Sequence, residues 1–134
     1  MKISDVMSRD VQVATPGDSL RQVAQRMAQS DIGSLPVEDG GRLVGMITDR
    51  DIVVRAVAEG LDGAATVAKV MSTTVTSCSI DDDLEEVSDK MADAQVRRLP
   101  VLDGGGKLVG VVALGDLARK DEAKRTGKTL EQIS

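Results

Sequence analysis

The chain states one pattern twice. Residues 35–51 read LPVEDGGRLVGMITDRD, and residues 99–116 read LPVLDGGGKLVGVVALGD. Pro36 and Pro100 are 64 positions apart (100 − 36), as are Met7 and Met71, Leu20 and Leu84, Val23 and Val87, and Met27 and Met91. Past the glycine run the offset becomes 65, because the second copy carries an extra glycine, Gly106. An internal repeat of this period decides the architecture before any local reading does. Two copies of one unit imply a pseudo-two-fold, with a cleft where equivalent edges meet.

Each copy is roughly sixty residues, marginal for burying a core alone. The 134-residue chain is therefore expected to be one body of two halves packed on each other. Aromatic content is 0%, so Val, Leu, Ile, Ala and Met must fill the core. Met7, Met27, Met46, Met71 and Met91 fall at repeat positions expected to be buried, a role that suits an adaptable thioether chain.

Each copy reads as β-α-β-β-α. Short strands open them, Val11–Ala14 and Val75–Cys78. Helix-start chemistry follows: Thr15-Pro16-Gly17-Asp18-Ser19 in copy one, Ser79-Ile80-Asp81-Asp82-Asp83 in copy two. A calcium loop at Asp81–Asp83 would need alternating acids, which are absent. Helices carry the apolar stripes Leu20, Val23, Ala24, Met27 and Leu84, Val87, Met91, with Ser88 in place of Ala24. Strands at Ser34–Val37 and Arg98–Leu102 meet Asp39-Gly40-Gly41 and Asp103–Gly106, tight and looser hairpin signals. Strands at Arg42–Ile47 and Lys107–Val112 then lead into second helices near Asp49 and Gly115. The expected divisions are 1–62 for repeat one, 63–69 for the linker, 70–123 for repeat two and 124–134 for a charged tail. The run Arg119–Arg125 mixes signs and reads as a solvated helix.

Net charge is −5, which with no stacking ring argues against nucleic acid. No apolar run approaches the ~20 residues of a membrane span, and the opening MKISDVMSRD lacks the apolar segment expected of a signal peptide. The single cysteine, Cys78, aligns with Ala14 and reads as a small packed residue. A soluble cytoplasmic protein is expected. Histidine is absent, which removes the commonest general base. No metal-ligand cluster stands out. The chain is therefore read as not an enzyme, with no cofactor.

The chemistry concentrates at Gly45-Met46-Ile47-Thr48-Asp49-Arg50-Asp51, where a strand runs straight into a helix. A hydroxyl at Thr48 beside free helix N–H groups favours a phosphate. The Asp51 carboxylate can accept two hydrogen bonds from a ribose diol. Thr-x-x-Asp is equally the pattern of a capping box, in which both side chains satisfy only backbone donors. Copy two keeps the acid at Asp116 and replaces the hydroxyl with Ala113. Arg97 and Arg98 stand where copy one has Gly33 and Ser34. In a two-fold arrangement one of them could neutralise a phosphate held at Thr48. One good site and one poor one are expected.

The doubled LPV…DGG core, with G-h-h-T-x-x-D after it, resembles a tandem pair of cystathionine-β-synthase (CBS) domains, of the stand-alone type that includes the hypoxic response proteins. The resemblance covers about residues 1–120. It implies an α+β fold of two β-α-β-β-α repeats packed through their sheets with pseudo-two-fold symmetry. It implies adenosine-bearing ligands (AMP, ADP or ATP, in some members S-adenosylmethionine or a dinucleotide) between the repeats, and disc-shaped homodimers. Thr48 then matches the phosphate-side hydroxyl, Asp51 and Asp116 the ribose acceptors, and Arg97 and Arg98 the pair that reaches a phosphate from the opposite repeat. Ala113 departs from the pattern. The function so implied is a regulatory sensor of adenine nucleotides that signals to another, unidentified effector protein. The alternative is a ligand-free homodimeric interaction module.

Overall fold

The computed structural model describes residues 2–118. The expected charged helix at Arg119–Arg125 and the tail at 124–134 lie outside the described residues. The chain has an α+β fold with two short sheets. It divides into two compact units, and neither is a contiguous half of the sequence. One comprises 12–75 with 106–108, and is called here the Thr48 unit. The other comprises 2–11, 76–105 and 109–118 of the described chain, and is called the Asp116 unit.

In the Thr48 unit, helix α1 (Leu20–Ser30) begins at a full capping box between Ser19 and Gln22. It ends on Asp31, whose left-handed backbone (φ 52°) points its N–H at the Met27 carbonyl. Strands β1 (Ser34–Asp39) and β2 (Arg42–Thr48) form an antiparallel hairpin. Gly40 and Gly41 make its two-residue turn with φ of 60° and 85°, the primed geometry that matches strand twist. Leu35, Val37 and Ile47 face a core shared with Leu20, Val23, Met27, Val67 and Val70. Ala24, expected on the buried stripe of α1, is exposed. It lines a hollow of about 430 Å3 together with Leu20, Ile52, Ala56, Val57 and Leu61.

Helix α2 (Asp49–Asp51) follows β2 without a loop and widens into a π-helix over Ile52–Val57. Only Ala56 of this segment is buried. Val53, Val54 and Val57 remain 59%, 48% and 66% exposed.

In the Asp116 unit, helix α3 (Leu84–Ala94) buries Val87 and Met91 and ends on Gln95, again left-handed at φ 56°. A three-stranded sheet carries β3 (Cys78–Ser79), β4 (Arg98–Leu102) and β5 (Leu108–Ala113) in that order. β3 runs parallel to β4, with Cys78 opposite Val101. The core joins Cys78, Val87, Met91, Leu99, Val101, Val112 and Leu117 to Ile3 and Met7.

Two further expectations are corrected. The opening strands are far shorter than the runs of β-forming residues suggest. Val11–Ala14 contributes only an isolated parallel bridge from Ala14 to Val37, and Val75–Cys78 contributes the two-residue β3. Of the five methionines expected to be buried, Met7, Met27 and Met91 are, whereas Met46 and Met71 are only half-buried.

The repeat also sets one electrostatic device in each unit. The Asp18 carboxylate accepts from the Thr15 N–H (3.0 Å), and Arg26 Nη1 joins it (3.1 Å) to the Val13 carbonyl (2.9 Å). Asp82 accepts from the Ser79 N–H (2.9 Å), and Lys90 Nζ joins it (3.2 Å) to the Ser77 carbonyl (3.3 Å). These hydrogen bonds, the backbone one foremost, hold both carboxyls below the ordinary aspartate range.

Candidate functional site

A strand that ends one residue before a helix leaves the first-turn N–H groups to be satisfied locally. In the Thr48 unit every step of that turn has a partner. The Asp49 N–H donates to the Gly33 carbonyl (2.9 Å). The Arg50 N–H donates to Asp49 Oδ1 (2.8 Å), and the Asp51 N–H donates to Thr48 Oγ1 (3.0 Å). Asp51 Oδ2 closes the box by accepting from the Thr48 N–H (3.0 Å). The capping-box alternative is thus realised. The expectation of free amides for an anion is corrected, because carboxylates, a hydroxyl and a carbonyl already accept from them.

Capacity remains in the side chains. A carboxylate offers about four acceptor positions. Asp51 Oδ1 faces Arg55 Nε at 3.8 Å, a loose pairing, and the Asp51 side chain keeps 16% of its surface exposed. The Thr48 hydroxyl accepts from Asp51 and retains its own O–H for donation. Gly33 leaves room beside the turn. A Cβ built there would stand 2.9 Å from Asp49 Oδ2.

The Asp116 unit repeats the geometry with different chemistry. The Ala113 N–H donates to Asp116 Oδ2 (3.1 Å), and the Leu114 N–H donates to the Arg97 carbonyl (2.7 Å). Arg97 occupies the position of Gly33, and Leu114 that of Asp49. The Arg97 and Arg98 side chains are exposed, Arg98 being the first residue of β4. The five residues singled out from sequence therefore fall as Thr48 with Asp51 in one unit, and Arg97, Arg98 and Asp116 in the other.

Sequence reasoning missed Asp49 and took Gly33 only as the counterpart of Arg97; together they complete the first turn of α2. The signal was their exchange for Leu114 and Arg97 in the second copy. Cys78 is buried, its Sγ 3.6 Å from the Pro100 carbonyl, and burial pushes its thiol up to about 11. Among the described residues, no group of three or more acidic, cysteine or histidine side chains could hold a metal ion. None of their helices is long and apolar enough to cross a membrane.

Comparison with known proteins decides the family. The family model "CBS domain" matches twice, at residues 3–57 and 67–122. This chain belongs to the CBS domain family. It is 41% identical over 133 residues to the CBS domain-containing protein YhcV of Bacillus subtilis, covering 98% of this chain and 94% of that one. Crystal structures of CBS proteins share the fold. Hypoxic Response Protein I, solved with two coordinated zinc ions, is 36% identical with a TM-score of 0.81, covering 89% of this chain and 98% of that chain. The CBS domain pair of MJ0100, solved with 5′-methylthioadenosine and S-adenosyl-L-methionine, is 28% identical with a TM-score of 0.79, covering 92% and 98%. The zinc ions belong to the former protein. This CBS pair has no histidine at all.

Proposed function

We propose that this CBS pair is a non-enzymatic regulatory module that binds an adenosine-bearing ligand such as AMP, ADP or ATP. Thr48 and Asp51 form the stronger site, and Asp116 marks a weaker one. The observation that carries the reading is the acceptor capacity left on Asp51 beside the unspent Thr48 hydroxyl proton. That combination suits a ribose diol next to a phosphate ester. The ligands of MJ0100 support the adenosine part of the reading.

Because the first-turn amides are already engaged, neutralisation of phosphate falls to side chains. Arg97 and Arg98 stay in the proposal on their sequence pattern. The exposed valines of the π-helix support a homodimer as the functional state. The signal then passes to a partner protein, in the cytoplasm, since a ligand alters only equilibria between states it binds unequally.

Titration calorimetry with AMP, ADP, ATP and S-adenosylmethionine tests the site. Loss of the tighter component of the heat in Asp51→Ala, and its weakening in Arg97→Ala with Arg98→Ala, is the expected result. Absence of heat with every ligand, or unchanged heat in Asp51→Ala, refutes it. The ligand-free dimer module is the second reading, favoured by the complete internal pairing at Thr48–Asp51. It requires a melting temperature indifferent to all four ligands, whereas binding raises stability by mass action.

A further inference from the structure

We infer that residues 2–11 are a latch on the Asp116 unit, so that this segment is a handle on the second repeat and not on the first. The latch is held by two apolar plugs and three main-chain hydrogen bonds. Ile3 is 0% exposed and Met7 9%, and both sit in the core built by Val87, Leu99 and Val112. The Ile3 N–H donates to the Asp82 carbonyl (3.1 Å). Ser8 exchanges both hydrogen bonds with Val111 (2.8 and 2.9 Å). Gly110 permits this approach, since a Cβ there would lie 2.8 Å from both the Ser8 carbonyl oxygen and the Met7 sulfur.

The equivalent segment of the second repeat does the same for the Thr48 unit. The Val67 N–H donates to the Asp18 carbonyl (2.9 Å), and Ser72 exchanges hydrogen bonds with Met46 (2.8 and 2.9 Å). Gly45 is the matching gap, with Ser72 O 2.7 Å from its built Cβ. Each repeat thus carries the other unit's closing segment.

The consequence is directional. Val111 lies two residues before Ala113 on β5, the strand that delivers the Asp116 turn. Ser8, Arg9 and Asp10 are exposed, so the latch presents surface that a partner can take hold of. A partner that captures residues 2–11 therefore opens the core of the Asp116 unit and frees β5. It leaves the core around Ile47 closed, because Val67 and Val70 complete it.

Hydrogen exchange by mass spectrometry on the full chain tests this. Ile3→Ala should speed exchange of α3 and β4 amides by about 30-fold or more, with α1 and β1 changed less than about threefold. Val67→Ala should do the reverse. If Ile3→Ala leaves too little folded protein, Ile3→Val should give the same pattern at about threefold. Gly110→Ala, with Ile3 intact, should expose residues 2–11 and loosen α3. Equal loosening of α1 and α3 in these variants, or an unchanged α3, overturns the latch.

Discussion

At Thr48–Asp51 two side chains and two main-chain donors close on one another, whereas at Ala113–Asp116 only the carboxylate half of that arrangement is present. The neighbours differ in charge as well. Asp49 stands beside Gly33 in the first turn, and the corresponding positions hold Leu114 and Arg97 in the second. One backbone plan therefore carries an acidic turn with a hydroxyl in one unit, and in the other a turn without one, whose Leu114 N–H donates to the Arg97 carbonyl. The shared aspartate caps its turn in both units, so it does not by itself separate them. The hydroxyl and the altered neighbours are where any difference in binding must originate.

The severest way to break the comparison is to remove what holds both turns in place. Ile47 and Val112 are each fully buried one residue before the turn. Ile47→Ala is expected to cost about 2–5 kcal/mol by denaturant unfolding, with Val112→Ala costing less because fewer atoms are lost. Equal costs would mean the two cores relax differently. Asp51→Ala and Asp116→Ala come next. Each should lose about 1 kcal/mol of stability as a cap, read from the same unfolding curves. Only Asp51→Ala should also remove the tighter component of the ligand heat.

Ala113→Thr sharpens the contrast by writing the first turn into the second. It should raise stability by about 0.5 kcal/mol if the new hydroxyl accepts from the Asp116 N–H. An unchanged or lower midpoint would show that the Asp116 turn differs in backbone and not merely in side chain. The smallest effect lies on the acid side. Asp18 and Asp82 have depressed carboxyls, so their contribution is complete above the ordinary aspartate value of about 3.9 and fades as pH falls through their folded values. Asp18→Asn and Asp82→Asn should each flatten the acid limb of a thermal stability profile below about pH 4, and to a similar degree.

Much of the fold could be read from residues. The Asp39-Gly40-Gly41 turn, the helix from Leu20 and the strand Arg98–Leu102 appear where pattern and turn chemistry put them. These features depend on neighbours close in sequence. The opening strands did not survive as expected, because their extent depends on how much of an edge β1 and β4 leave to pair with. The exchange of closing segments was illegible for a sharper reason. Ile3-x-x-Val6-Met7-Ser8 and Val67-x-x-Val70-Met71-Ser72 are near-equivalent, and so are their seats at Asp82 with Gly110 and Asp18 with Gly45. Pattern alone cannot say which segment fills which seat. At the site, the Thr-x-x-Asp spacing exposed the two residues but not their mutual closure. Closure turns on whether the carboxylate bends back, and one spacing serves both outcomes.

The interlaced closing segments bear on how such a chain can arise and be cut. A solitary copy of the repeat would own a plug with no seat of its own to fill, and an open seat beside it. Two solitary copies would have to trade plugs as a pair before either was sealed. Joining them in one polypeptide makes that trade unimolecular, so a boundary drawn at the sequence repeat severs both halves from the piece that shuts them.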